Sequence, residues 1–200
     1  MINNIELIKP LLNFENEGDF YMLYVFKRKK DQPEGERDNH QSVRTIKTYC
    51  VESIEYLEKR YDEIKQLCEM FKARAYIHVQ KQNHKDVSLE MMIGLAEKIK
   101  NGQHNQKHLF DSVVGQIKTH ESRWIVDVDS KDNKELLKVK LAIDSCAPFG
   151  KDKIISEIPT KNGYHLITDR FDSEVFKKVF PDVDIQKKNP TLLFLPESLD

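Results

Sequence analysis

Two aspartates one residue apart end the segment RWIVDVDSKD, residues 123–132, whose apolar positions Trp124, Ile125, Val126 and Val128 read as a buried strand. Along a strand, residues i and i+2 share a face and their side chains start roughly 6.5 Å apart, so Asp127 and Asp129 can reach one site. If Val126 and Val128 face a core, both carboxylates face a cleft. Like charges held that close repel and are costly to desolvate, and a divalent cation would offset both penalties. Paired carboxylates are hard oxygen ligands, suited to Mg²⁺ or Mn²⁺, which keep water and substrate phosphates as their remaining ligands. The plain alternative for the pair taken alone is a solvated strand end.

Two further segments carry candidate chemistry. In TKNGYHLIT, residues 160–168, Gly163 permits close backbone approach, and Thr160, Lys161 and His165 gather donors within six residues, a set that could hold a triphosphate. In DVDIQKKNPTLLF, residues 182–194, Asp182 and Asp184 repeat the i, i+2 spacing ahead of Lys187 and Lys188. Pro190 favours an edge strand there. A run of four cations, Lys27, Arg28, Lys29 and Lys30, follows an aromatic strand and, with Arg44 and Lys47 on its expected partner, could neutralise template phosphates. His104 and His108 stand at i, i+4 without a nearby carboxylate or cysteine and read as exposed histidines.

The elements that must position these residues follow from periodicity. DFYMLYVF at 19–26 and VRTIKTYCV at 43–51 read as a hairpin around a polar loop at 31–41 that holds Pro33 and Gly35. Residues 52–72 repeat apolar positions at helical spacing, Ile54, Leu57, Tyr61, Ile64, Leu67, Cys68 and Phe71. A strand at 73–79 precedes a helix capped at Ser88 and running to about residue 100, then another at 106–118. The strand at 124–128 leads to a helix at 133–146, a hairpin of 154–158 with 164–168, a short helix at 173–180, and strands near 183–186 and 191–195. This pattern predicts α+β: two sheets with helices on their outer faces.

Composition narrows the class without naming it. Lys plus Arg number 32 against 33 Asp plus Glu, a formal charge of -1, so any pull on nucleic acid must come from local patches. Three dispersed cysteines, Cys50, Cys68 and Cys146, argue against a disulfide framework or zinc site and read as buried thiols in a reducing cytoplasm. The first twenty residues lack the pattern of a signal peptide, and no apolar stretch is long enough to span a bilayer, so a cytoplasmic protein without membrane partners is expected.

The order of the three motifs, a hydrophobic strand ending in Asp-x-Asp, an x-His hairpin and a hydrophobic-Asp strand, resembles that of the archaeo-eukaryotic primase superfamily of primases and primase-polymerases. Here these are Asp127-Val128-Asp129, Gly163-Tyr164-His165 and Val183-Asp184, and KKNPTLLF resembles the basic, Asn-containing segment after the last aspartate. The resemblance covers residues 121–200 directly and 1–120 only in αβ character. It implies one catalytic domain, an N-terminal αβ unit (1–120) and a C-terminal unit similar to an RNA-recognition fold (121–200), with the site in the cleft between them. It further implies that Asp127, Asp129 and Asp184 hold Mg²⁺ or Mn²⁺ and that His165 contacts the phosphates of a nucleoside triphosphate, alongside Lys161 and Lys188. A single-stranded DNA template is the implied partner, and a helicase is left open as another. Asp182 stays an alternative third ligand, because counting back from Lys188-Asn189 favours it. The motif serine has only Thr160 and Gly163 as stand-ins, and 19 positions separate His165 from Asp184. The alternatives are a degenerate nucleic-acid-binding replication-accessory module and, more distantly, a metal-dependent phosphodiesterase.

Overall fold

The structure is a computed structural model that describes residues 1–32, 43–106, 108–117 and 123–199. It is α+β, with two antiparallel sheets. The first sheet has the order β1-β10-β4-β2-β3, formed by β1 (Ile2–Asn3), β2 (Asp19–Arg28), β3 (Val43–Val51), β4 (Arg74–Ile77) and β10 (Thr191–Leu195), with β5 (Gln82–Asn83) paired to the start of β2. The second has the order β7-β8-β6-β9, from β6 (Trp124–Val128), β7 (Ile154–Pro159), β8 (Tyr164–Thr168) and β9 (Asp184–Gln186). Helices α1 (Ile5–Ile8), α2 (Ile54–Phe71), α3 (His84–Lys100) and α4 (Leu109–Gln116) accompany the first sheet, and α5 (Asn133–Ser145) and α6 (Ser173–Val179) the second. From β6 to β9 the chain runs β-α-β-β-α-β, the succession of a split βαβ unit. Strand β10 then leaves that unit and pairs antiparallel with β4 and β1 of the first sheet.

Alternation along β2 divides the first sheet into two faces. Tyr21, Leu23 and Val25 join Ala75 and Ile77 in a core covered by Leu57, Ile64 and Cys68 of α2. Burying a Leu or Ile side chain of this kind contributes roughly 1.5–3 kcal/mol. On the other face Phe20 and Met22 pack against Val87 of α3 and Val114 of α4. Beyond them Tyr24, Phe26 and Arg28, with Arg74, Tyr76 and His78 from the β4 region, continue that face toward the second sheet. In the second sheet Trp124, Val126 and Val128 pack with Leu136, Val139 and Ile143 of α5 and Phe176 of α6. Ile125, on the opposite face of β6, joins Ile158 and Ile167 in the core of the first sheet, so the two sheets share apolar packing.

Most expected elements form within a residue or two of their expected ends. The helix assigned a cap at Ser88 begins instead at His84, because Asn83 is the N-cap: its side chain accepts from the Lys85 N–H at 3.0 Å. The loop expected at 31–41 lies outside the described residues from position 33 onward. Cys68 and Cys146 are buried thiols, whereas Cys50 is half-buried. His104 and His108 are exposed. No helix among the described residues is long and apolar enough to cross a membrane.

Buried polar contacts fix the sheets relative to each other. Asn4 Nδ2 donates to Pro159 O on β7 and to Leu192 O on β10, each at 2.9 Å. Gln80, just past β4, donates from Nε2 to Arg123 O and Lys187 O, which flank β6 and β9. Gly163 brings the β7–β8 turn against the end of β6 so closely that an added Cβ would lie 1.9 Å from Val128 O and 2.6 Å from Ser130 N. Both are backbone atoms and cannot rotate away. Gly163→Ala should therefore cost about 2–3 kcal/mol of stability, the scale of overpacking a tight site, read as a lower midpoint in urea unfolding; an unchanged midpoint would mean that the turn can lift off β6.

Candidate active site in the cleft between the sheets

Register brings the three sequence motifs together. On β6, Asp127 is the direct Cα partner of His165 on β8 and, on its other side, of Asp184 on β9. Because Val126 and Val128 point into the α5 core, Asp127 points to the cleft, and Asp184 and Gln186, two apart on β9, share that face. Asp182 sits in the turn before β9 and has no place in the ladder, so of the two alternatives Asp184 is the one beside Asp127. Asp129 lies one residue past the end of β6 and is exposed.

The carboxylates are held by few donors. Gln186 Nε2 lies 2.9 Å from Asp184 Oδ2 and 3.3 Å from Asp127 Oδ2, so one amide spans both groups. His165 Nε2 faces Asp127 Oδ1 at 3.6 Å. Its Nδ1 is 2.9 Å from the hydroxyl of Thr191, a fully buried residue on β10. A carboxylate only accepts, so the favoured tautomer carries the proton on Nε2 and takes the Thr191 hydroxyl proton at Nδ1. Thr191 thus holds the imidazole edge toward the cleft.

Burial sets the protonation of this pair. Burial, the neighbouring charge of Asp129 and a smaller push from Asp184 raise the Asp127 carboxyl to about 6, against the pull of Arg28 and Gln186. His165 moves the other way: burial, aided by Arg28, lowers it to about 4. The contact is therefore a neutral imidazole beside a carboxyl group, not an ion pair.

The opposing wall belongs to the first sheet and is cationic and aromatic. Arg28 Cζ lies 5.2 Å above the ring of Tyr76, and Tyr76 stacks on Phe26 with centroids 4.9 Å apart and planes inclined by 9°. Below them Arg74 forms a bidentate pair with Asp31, Nε–Oδ2 and Nη2–Oδ1 both 2.8 Å, with both side chains almost fully buried. A small cavity of about 40 Å³ is lined by Arg28, Arg74, Tyr76, Asp127, Asp129 and His165 together with Thr160, Lys161 and Asn162 of the hairpin turn. It adjoins an open groove of about 890 Å³ lined by Tyr24, Phe26, Arg28, Lys29, His78, Gln186, Lys188 and Asn189 among others, and by no carboxylate among the described residues.

The remaining sequence candidates are distributed as follows. Lys161 lines the small cavity and its Nζ donates to Leu199 O at 2.6 Å. Lys188 lines the groove while bonding Gly115 O and Gln116 O, the last carbonyls of α4. The run 27–30 does not form one patch: Arg28 points into the cleft, Lys29 lines the groove, and alternation turns Lys27 to the α2 face, opposite Arg44. The side chain of Lys30 lies outside the described residues. Gln186, Thr191, Arg74 and Tyr76 were not legible as site residues. Thr191 and Tyr76 belong to apolar strands of the other sheet, and only the i, i+2 relation to Asp184 pointed toward Gln186.

Comparison with family models, with curated proteins and with solved structures returns no match. Among the described residues no group of three or more His, Cys, Asp or Glu side chains is disposed to hold a metal ion. The donors in register are Asp127 and Asp184, with Asp129 one step outward. One or two carboxylates suffice for Mg²⁺ or Mn²⁺ when substrate phosphates and waters complete the shell, so the donor set fits such a cation.

Because the Asp127 carboxyl is raised, ionisation favours the unfolded chain. The penalty is absent below about pH 4, grows as pH rises toward 6 and is complete above it. Asp127→Asn should therefore be more stable than the parent at pH 7.5 by roughly 1–2 kcal/mol, discounted for partial exposure. That margin should vanish near pH 4, and chemical denaturation of both proteins at the two pH values checks it; a margin that grows on acidification would reverse the sign assigned to Asp127.

Proposed function

We propose that the protein is a metal-dependent nucleotidyltransferase of the primase or primase-polymerase type, adding nucleotides to a strand paired with a single-stranded template. The observation that carries this reading is the ladder His165–Asp127–Asp184, which turns three motifs scattered over 58 residues of sequence into one row across the second sheet. The β-α-β-β-α-β succession of residues 124–186 supports the RNA-recognition-like half of the expected architecture, and the first sheet supplies the facing wall.

In the proposed reaction the 3′-hydroxyl oxygen of a primer strand attacks the α-phosphorus of a nucleoside triphosphate, the bond to pyrophosphate breaks, and the hydroxyl proton passes to solvent water. Asp127 and Asp184, with Asp129, would hold Mg²⁺ or Mn²⁺. When bound, such a cation polarises the phosphate and eases loss of the hydroxyl proton. Arg28 and Lys161, on opposite sides of the small cavity, neutralise triphosphate charge. His165, kept neutral and turned by Thr191, offers its Nε2–H to a phosphate oxygen. Tyr24 and Phe26 give the adjoining groove faces on which bases stack, and Lys29 and Lys188 give it phosphate-binding charge.

A second reading has its own support. Among the described residues the groove carries cations and aromatic rings without lining carboxylates, so it can bind single-stranded nucleic acid with no contribution from Asp127, Asp129 or Asp184. A replication-accessory module would need nothing more.

Primer extension beside a salt-dependent binding titration separates the two. The nucleotidyltransferase reading expects Mn²⁺-dependent incorporation by the parent, loss by at least 10²-fold in Asp127→Ala, and a raised nucleotide KM in Arg28→Ala. Oligonucleotide binding should weaken with salt and be indifferent to Asp127→Ala. Extension retained by Asp127→Ala would remove the metal assignment; binding without extension under any metal or nucleotide condition would favour the accessory module.

A further inference from the structure

Among the described residues, the two carboxylates paired across β6 and β9 are bridged by one neutral donor. Gln186 Nε2 reaches Asp184 Oδ2 at 2.9 Å and Asp127 Oδ2 at 3.3 Å. Of the cations that line the small cavity, Arg28 lies over Tyr76 and Lys161 bonds Leu199 O. An amide NH₂ bonded to both carboxylates competes with any cation the two would share. Resting on the nucleotidyltransferase reading, we propose that Gln186 is a latch on the metal site: its amide holds the Asp127–Asp184 pair in the metal-free protein and must swing away before a divalent cation can bind, so Gln186 limits the site's metal affinity.

The sign follows from what fixes the carboxylates. If Gln186 were the element that brings them together, its removal would splay the pair and weaken binding. Their approach is instead set by strand pairing, since Asp127 and Asp184 are direct partners across β6 and β9. The side chain contributes hydrogen bonds to the metal-free state that a cation has to break, and the half-buried amide regains water when it leaves. Competition therefore outweighs preorganisation. Because the contact is partly exposed and shared between two acceptors, about one ordinary net hydrogen bond is the quantity lost, equivalent to about 3–10-fold in affinity.

The arrangement also distinguishes two substitutions. Gln186→Ala deletes the competitor and leaves two carboxylates. Gln186→Glu keeps the length and offers a third carboxylate at the same point, adding a ligand while removing the donor.

The test is Mn²⁺ binding to the full chain at pH 8, followed by the electron paramagnetic resonance signal of free Mn²⁺, for the parent, Gln186→Ala, Gln186→Glu and Asp127→Asn, with circular dichroism to verify folding. The expected order is Asp127→Asn weakest, then the parent, then Gln186→Ala tighter by about 3–10-fold, then Gln186→Glu tighter again. Binding by the parent with a Kd unchanged or weakened in Gln186→Ala overturns the latch alone, and a weakened value makes Gln186 a ligand. Failure of both the parent and Gln186→Ala to bind overturns the latch, and the nucleotidyltransferase reading falls with it only if primer extension fails as well. Binding by Gln186→Ala where the parent shows none supports the latch in its strongest form.

Discussion

The register of β6 between β8 and β9 is the constraint from which the site follows. Side chains alternate along a strand, so a slip of one residue in either pairing would exchange the faces. Asp127 would turn into the packing of Leu136, Val139 and Ile143, and Val126 or Val128 would enter the cleft. The cost of burying an unpaired carboxylate in that core, together with the lost burial of two valines, makes the slip prohibitive. The same apolar residues that fold the second sheet thus aim its carboxylates. Gly163 tightens this arrangement from the side, since the turn it permits lies against Val128 O and Ser130.

The second requirement is that the facing wall be held against that row. Both sheets contribute to one core through Ile125, Ile158 and Ile167, and the polar links at Asn4 and Gln80 satisfy backbone carbonyls on both sides. Strand β10 makes the connection covalent: the chain leaves β9 beside Asp127 and within a few residues delivers Thr191 to the first sheet, where its hydroxyl meets His165. His165 is oriented by one sheet while belonging to the other. A relative shift of the two would therefore be felt first at the imidazole.

Much of this was legible in the sequence, and the rest was not for physical reasons. Alternation of Trp124, Val126 and Val128 with Ile125 and Asp127 carries the strand, its faces and the cleft-facing aspartate, because periodicity is local. The hairpin around Gly163 was legible for the same reason. The choice of Asp184 over Asp182 was not, since the preceding Val183 favours Asp184, the count back from Lys188-Asn189 favours Asp182, and pairing with β6 is what distinguishes them. The cationic run 27–30 looked continuous in sequence, yet strand alternation alone already assigns Lys27 and Arg28 to opposite faces. Thr191, Tyr76 and Arg74 were invisible as site residues, because what gives them a role is the packing of one sheet over the other, a contact with no signature at short range.

Charge within the cleft is separated, and the separation has a consequence for how ligands enter. Asp127, Asp129 and Asp184 gather on the second sheet, while Arg28 and Lys29 extend from the first and Arg74 is neutralised by its buried bidentate pair with Asp31. Arg28 does not close onto Asp127 but lies over Tyr76, so the acidic row and the cationic wall stay apart across the small cavity. A direct Arg28–Asp127 salt bridge would satisfy both groups and leave neither free for a ligand. The stacking of Arg28 on Tyr76, and of Tyr76 on Phe26, gives the guanidinium an alternative partner that a carboxylate would have to displace. Two unsatisfied fields of opposite sign then remain side by side, and a ligand that carries its own anionic groups together with a divalent cation satisfies both at once.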